Sequence, residues 1–508
     1  MKKSFAILLT TALLATSALA GCGKSGSGNK IQIVVDGGGV AGNYNSSISM
    51  TPSPANPNPY NQLELLAKEW SDANDTYEIK INRNSMNGNR DTILGYLSTS
   101  SGPDIIYQTG TTIAEDMEKN YFVDMTDYLQ GPNKYAEGNE KWADLYDPQE
   151  LEASRAPNGN FYSVGIDRNV AGVMYNEEIL TAAGVELPIK TYGEFVEAQD
   201  KIQAYSDSNG LEIIPYSMVD NWYDIVLESS LYGSLADEYD VIRKNGIVDT
   251  EELCRASYLG KYKIMNGSNM DARYEAYLNL MKRAQLHTPE GSKGNTAVTE
   301  FMNGKVAMVS CLGKSMVQVQ QQKKVEKLGV MGYPVLTQSD IDEYSGVVGV
   351  TIDERGVRRG ISGIGTGWWI TNAAMKKGTV EACVDFLQFV TAPQNNVKMV
   401  NKLGYAIPLD TEAAASADMN PLFADLIAQF NEDVENDFFE FHVFNSWGIM
   451  GFDCWSNFVV QSGNLFKGTP VAEVVKSINS QFLSSRDSQI EKNKQSGAWD
   501  VDGWSSLS

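Results

Sequence analysis

The chain has 508 residues, 42% hydrophobic and 21% charged, which is too long for a single core and too apolar for disorder. Its net charge of −23 argues against a nucleic-acid partner, which is read by basic surfaces, and against an anionic ligand held by a broad basic patch. Two histidines, and five cysteines without a C-x-x-C pair, argue against a histidine-based metal site, a zinc ribbon or a dense disulfide framework.

Lys2 and Lys3 precede an uncharged, mostly apolar run from Phe5 to Leu19, closed by Leu19-Ala20-Gly21-Cys22. A charged start, an apolar stretch and a small-residue cleavage site predict a removable export signal rather than a membrane span. The last four residues resemble a bacterial lipobox. That resemblance implies cleavage before Cys22 and lipidation of its thiol, with residues 1–21 as signal peptide. The alternative is an ordinary secretory signal beside a chance cysteine. Residues 22–30 are rich in Gly and Ser and suit a tether that holds a domain off a membrane. The expected location is the outer face of the bacterial cytoplasmic membrane: cell surface in a Gram-positive envelope, periplasm in a Gram-negative one.

Ile31 to Val35 reads as a buried strand, and Gly37 to Pro59 as a long loop. Leu63 to Trp70 has helical spacing and Tyr77 to Ile81 alternates. Asp91 to Ser98 is a helix candidate, and Asp104 to Tyr107 a strand after Ser101-Gly102-Pro103. This β-α-β-α-β order predicts a parallel sheet with helices on its faces. The alternation recurs with strand Val170–Tyr175, helix Gly193–Ala204 and strand Ile213–Met218. Helices Tyr223–Tyr232, Ala272–Ala284 and Thr296–Phe301 follow, the last leading into strand Val306–Ser310. Ile361 to Ile370 is Gly-rich and extended. Val380 to Val390 is a helix stopped by Pro393, and the chain from Pro421 onward is mostly helical. Two α/β lobes fit this better than one. Cys383, in the amphipathic pattern Glu381–Leu387, is expected in the core. Pairing among Cys254, Cys311, Cys383 and Cys454 is left open.

Gly37-Gly38-Gly39-Val40-Ala41-Gly42 matches G-x-G-x-x-G after a strand. A dinucleotide site needs a helix directly after the glycines, whereas Pro52, Pro54, Pro57 and Pro59 follow here. What remains is a loop at the carboxyl end of a parallel strand, where α/β folds bind ligands. The acid runs Asp144–Glu152 and Asp433–Glu440 lack EF-hand spacing and read as solvated faces. No metal and no cofactor is expected.

Glu300-Phe301-Met302-Asn303-Gly304-Lys305-Val306-Ala307-Met308 reads as a helix end, a glycine cap and a small buried strand. As a pattern it is similar to the F-x-x-G-K-x-A-M signature of family-1 extracellular solute-binding proteins of ABC importers. Further segments resemble the same family in the same order. They are Ser101-Gly102-Pro103-Asp104-Ile105-Ile106; Met174-Tyr175-Asn176 with Leu187-Pro188 and Thr191 to Phe195; Gly367-Trp368-Trp369-Ile370 with Glu381 to Phe389; and Gly404 to Pro408. The long Pro-rich loop and the segment after Gln489 depart from the family pattern.

The resemblance implies a two-lobed, periplasmic-binding-protein-like α/β fold of type II, with a ligand cleft between lobes joined by a hinge. Lobe 1 is placed at 31–165 plus about 366–430, and lobe 2 at about 168–362 plus about 440–490. Residues 491–508 are placed as a C-terminal tail. The first crossing is expected near Gly165–Asn169. The second is expected near Gly360–Gly367, where Gly360, Gly363, Gly365 and Gly367 offer a hinge its freedom or simply form turns. Asp104 is expected to be structural.

Nine tryptophans and 24 tyrosines supply faces on which sugar rings stack, though most must be core or scattered surface. By position, and by the sugar-binding branch of the family, Trp222 with Asp220 and Asn221 is expected at a strand-to-helix loop of the site. Trp455 is expected at the start of a C-terminal helix, with Trp447 as its alternate. Of Trp368 and Trp369, which face opposite ways on a strand, one is expected in the core and the other at the cleft. Tyr107 and Gln108 at a strand end, and Asp167 and Arg168 at the hinge, complete the candidates.

The function implied is a monomeric, lipid-anchored receptor that captures an oligosaccharide and delivers it to the membrane permease subunits of an ABC importer. It is a binding protein and not an enzyme. An exported glycoside hydrolase would need two carboxylates facing across the cleft, and no motif singles out such a pair. A receptor for a non-sugar solute such as a polyamine is the remaining alternative.

Overall fold

The computed structural model describes residues 30–37, 62–82, 89–109, 116, 119–152, 154–156, 158–219, 222–246, 248–352, 361–362, 366–404, 406–410, 413, 417–428 and 451–507. The expectations for Cys22, Asp220, Asn221 and Trp447, and for nearly all of the Gly37–Pro59 loop, lie outside them.

Strands β1 (Ile31–Asp36), β2 (Tyr77–Asn82), β3 (Ile105–Thr109) and β4 (Ser163–Val164) precede the first crossing. Strands β5 (Arg168–Asn176), β6 (Ile214–Met218), the hairpin β7 (Met265–Asn266) and β8 (Asn269–Met270), β9 (Val306–Leu312) and β10 (Leu328–Met331) follow it. Strands β11 (Ile361–Ser362), β12 (Thr366–Ile370) and β13 (Ala406–Ile407) come last. The first sheet runs β2-β1-β3-β12-β4, and the second β10-β5-β9-β6. In the first, β1 is parallel to β2 and β3, while β12 is antiparallel to β3 and β4. In the second, β6 and β9 are parallel and β5 runs against β9 and β10.

Sequence patterning explains these elements directly. Leu63, Leu66, Ala67 and Trp70 form the buried stripe of helix Gln62–Ala73. Helix Tyr192–Ser208 begins where Thr191 makes a reciprocal capping box with Glu194, which satisfies two otherwise orphaned amides. Helix Asn295–Met302 ends at Asn303, and Gly304 follows with φ +71°, a conformation glycine adopts without strain. The buried run Val306–Cys311 of β9 then enters the centre of the second sheet. The F-x-x-G-K-x-A-M segment is thus a helix-turn-strand unit, as its pattern predicts.

One hydrophobic cluster runs from the first sheet to one face of the second, where it takes in Phe301, Val306, Val309 and Met316, and another fills the rest of the second lobe. Trp142, Trp368, Phe386 and Leu387 lie with β1 and β3 in the first-sheet part of the shared cluster. Tyr216, Leu227, Tyr277 and the C-terminal residues Phe458, Val474 and Phe482 lie together in the second cluster. Cys254, Cys311, Cys383 and Cys454 are all buried, and none of the four is in a disulfide with another described cysteine.

Segments 421–428 and 491–507 sit differently from the sequence-based expectation. Residues 421–428, assigned with lobe 1, lie against the second sheet. Asn420 exchanges hydrogen bonds with Gln320, and a side chain on Gly172 of β5 would meet Leu426 at 3.3 Å. Residues 491–507, of the segment read as a tail, are packed. Helix Val471–Ser496 runs into them, and Trp499 and Trp504 are 3% and 1% exposed. Arg255 donates to the carbonyls of Trp504 (3.0 Å) and Leu507, and Trp504 Nε1 donates to Glu251. Two tryptophans in a short polar stretch were the sequence signal that it had somewhere to pack.

Candidate functional site

Both sheets turn the carboxyl ends of their parallel strands toward the same crossing. β4 ends at Val164, and β5 begins at Arg168 in the other sheet. The first residues of β5 are flanked on one side by β11 (Ile361↔Val170, Ser362↔Asn169) and on the other by β13 (Ala406↔Asn169, Ile407↔Arg168). Three passages of the chain therefore form one antiparallel ribbon between the sheets. β11 and β13 are two residues each, so neither has a periodicity that the sequence could show. Of the hinge glycines, only Gly367 is described. Its role is close approach rather than freedom, since a Cβ there would lie 2.7 Å from Ser163 Cβ on β4.

Ligands of open α/β sheets bind in the crevice outside such strand ends. On the first lobe the crevice edge is formed by Asp36 at the end of β1 and by Tyr107 and Gln108 near the end of β3, all 0–5% exposed. Tyr107 and Trp368 are register partners on β3 and β12, and their rings meet edge to face at 5.7 Å. Trp368 Nε1 is buried without a hydrogen-bond partner. Trp369 points to the other face, 5.2 Å from Phe122, and its Nε1 donates to the Gln108 carbonyl at 3.2 Å. Both tryptophans are 1% exposed, and Trp369 is held by the hydrophobic cluster that contains Ile93 and Leu97.

At the ribbon, Asp167 and Arg168 are 4% and 3% exposed. Arg168 Nε donates to the Pro408 carbonyl at 3.1 Å. Burial pushes the Asp167 carboxyl up to about 7, and its Oδ2 has no hydrogen-bond partner. On the second lobe, Trp222 opens helix Trp222–Tyr232, directly after β6. Asp224, in the first turn of that helix, is 4% exposed. Burial raises its carboxyl to about 7, while Lys293 pulls it down. Trp455 lies on helix Gly451–Phe466 of the same lobe and is 38% exposed. Val459, one turn on, is 45% exposed, so this helix shows an open apolar strip.

The candidates thus fall into three groups. Tyr107, Gln108 and the Trp368–Trp369 pair are brought together by β3 and β12. Asp167 and Arg168 sit in the ribbon. Trp222 and Trp455 belong to the second lobe, on two separate helices. Asp36 and Asp224 escaped the sequence reading; their signal was an acid at a strand end and an acid in an otherwise apolar first helical turn. Asp104 is structural, as expected. It is 0% exposed and accepts from Val34 N–H (2.8 Å), Lys377 (2.7 Å) and Thr379 (2.9 Å). Among the described residues no cluster of three or more His, Cys, Asp or Glu is arranged to hold a metal ion.

Comparison with known proteins places this geometry. The family described as bacterial extracellular solute-binding protein matches residues 66–425. No curated protein sequence matches the chain. Among solved structures, the GacH receptor of Streptomyces glaucescens, studied unliganded and with acarbose and an acarbose homolog, is 17% identical with a TM-score of 0.57. The match covers 90% of this chain and 99% of that one. A family 1 extracellular solute-binding protein from Bifidobacterium longum subsp. infantis is 16% identical over 90% of this chain and 100% of that one, with a TM-score of 0.58. The maltose/maltodextrin-binding domain MalE from Bdellovibrio bacteriovorus, bound to maltotriose, is 14% identical over 91% and 100%, with a TM-score of 0.56.

Proposed function

Since the chain belongs to the bacterial extracellular solute-binding protein family, whose members bind rather than transform their solutes, we propose that it is a lipid-tethered receptor for an oligosaccharide. It delivers this cargo to the permease of an ABC importer. Family membership sets aside the glycoside hydrolase alternative. The observation that carries the rest is the pair of sheets whose strand ends face one ribbon. Such a frame can close two surfaces around a solute, driven only by contacts that exist in the closed state.

The choice of sugar rests on chemistry and on likeness together. Acarbose and maltotriose are the ligands named for two proteins of this fold. Trp455 is partly exposed on its helix, and Trp222 opens a helix at the strand-end crevice. Buried carboxyls at the crevice, Asp36, Asp167 and Asp224, are suited to accept hydrogen bonds from hydroxyls.

A thermal-shift screen against oligosaccharides and polyamines tests the cargo, because a solute bound to the native state alone raises the melting temperature by mass action. Stabilisation by an oligosaccharide that is afterwards recovered intact is expected. Stabilisation by polyamines alone contradicts the sugar assignment and leaves the receptor. The tether has its own test. Cys22→Ala should free the protein from the membrane without changing sugar binding; a variant that stays membrane-bound contradicts lipidation at Cys22. Anchoring raises the receptor's effective concentration at the permease without any new contact.

A further inference from the structure

The ribbon joins the lobes, yet the passages within it are not held alike. The carbonyls of Gly165 and Ile166, in the first crossing, are each fixed by a side chain of the first lobe. Tyr146 Oη donates to the Gly165 carbonyl at 3.1 Å, and Asn396 Nδ2 to the Ile166 carbonyl at 2.6 Å. Asn396 lies in helix Pro393–Leu403 and is 1% exposed. Its Oδ1 accepts from the Leu409 amide at 3.0 Å, just beyond β13 in the third crossing. One buried carboxamide thus ties two crossings to each other and to one lobe. A side-chain amide can do this because it is both donor and acceptor, and burial makes either loss costly.

The hold changes hands at the next residues. Asp167, next in sequence, has a buried Oδ2 without a hydrogen-bond partner. Arg168 and Asn169 are paired with β13 and Arg168 Nε reaches the Pro408 carbonyl, so the third crossing holds them as well; from Ala171 onward β5 pairs with β9 in the second sheet.

We propose that Asn396 is the hinge pin of this protein. It makes the first and third crossings, with the two β5 residues paired to β13, turn as one body with the first lobe, and places the bend where β5 leaves β13 for the second sheet, at Asn169–Ala171. Asn396 touches no solute and is a positioning residue. A pinned hinge restricts the relative orientations of the lobes, so less entropy is lost when they close. The proposal rests on the receptor reading only in that the lobes move, and its test needs no solute.

Spin labels are placed at Thr99→Cys on the first lobe and Lys201→Cys on the second, both exposed, in a Cys22→Ala background whose other four cysteines are buried. Pulsed electron resonance of the solute-free protein then reports the interlobe distance distribution. Asn396→Ala is expected to broaden that distribution, and Tyr146→Phe to broaden it less. Tyr146→Phe keeps the ring, so it also serves if Asn396→Ala does not fold. A lowered melting temperature with an unchanged distribution in both variants would mean that these bonds only stabilise the fold, and would overturn the proposal. A failed solute screen, by contrast, leaves this result standing.

Discussion

Asp104 shows how far single residues were legible. Its carboxylate serves the β1 amide at Val34, Lys377 and Thr379 at once, so the Pro-Asp motif marks a junction of the first lobe rather than a contact with solute. Removing it as Asp104→Ala leaves the Val34 amide and the buried Thr379 hydroxyl without their acceptor and opens the pair with the exposed Lys377, and chemical denaturation should show a loss of about 1–3 kcal/mol. Asp36 and Asp224 were not legible, because an acid beside a glycine loop or in a helical first turn reads equally as a solvated cap. Only the fold shows them buried. Asp167 carries a pH signature. With its carboxyl near 7 in the folded protein and near 3.8 unfolded, the native state binds the extra proton between those values. The group's destabilising effect is therefore absent below about pH 4 and fully present above about pH 7. Asp167→Asn should raise the melting temperature relative to the parent at pH 8 and lose that advantage by pH 4; a difference constant with pH would contradict the assignment. Trp455→Ala should weaken sugar binding by about 10-fold, as loss of an aromatic anchor does, with Trp222→Ala as its counterpart. Parental affinity in either variant would remove that residue from the site.

Elements with a strong period were read well. Helix Gln62–Ala73, helix Val380–Thr391 and the helix-turn-strand unit around Gly304 follow from apolar spacing and capping. Elements whose role is set by distant partners were not. β13 is two residues long, and only its pairing with β5 gives it meaning. The segment 491–508 looked like a tail because helix Val471–Ser496 buries only a thin stripe, including Val474, Ile478 and Phe482. Its end is nonetheless clamped by Arg255 and Glu251 from helix Thr250–Tyr258. Trp504→Ala should cost about 3–5 kcal/mol, the range for emptying a fully buried aromatic site. If denaturation shows less than about 1 kcal/mol, the segment is an appendage after all.

At the scale of the whole molecule, alternating strands and helices predicted two lobes. What the sequence could not supply was the arrangement of the joint, since three passages distant in the chain meet only in space. The acidic surface field fits a neutral or cationic solute better than an anionic one. The central claim is that the lobes close around an oligosaccharide and leave it unchanged. Calorimetric titration of the protein with a panel of two- to six-unit oligosaccharides, each recovered afterwards by chromatography, tests it most directly. Saturable one-to-one binding of at least one sugar, recovered at its original length, is the result expected. No heat of binding across the panel, or recovery of shortened sugars, would contradict it.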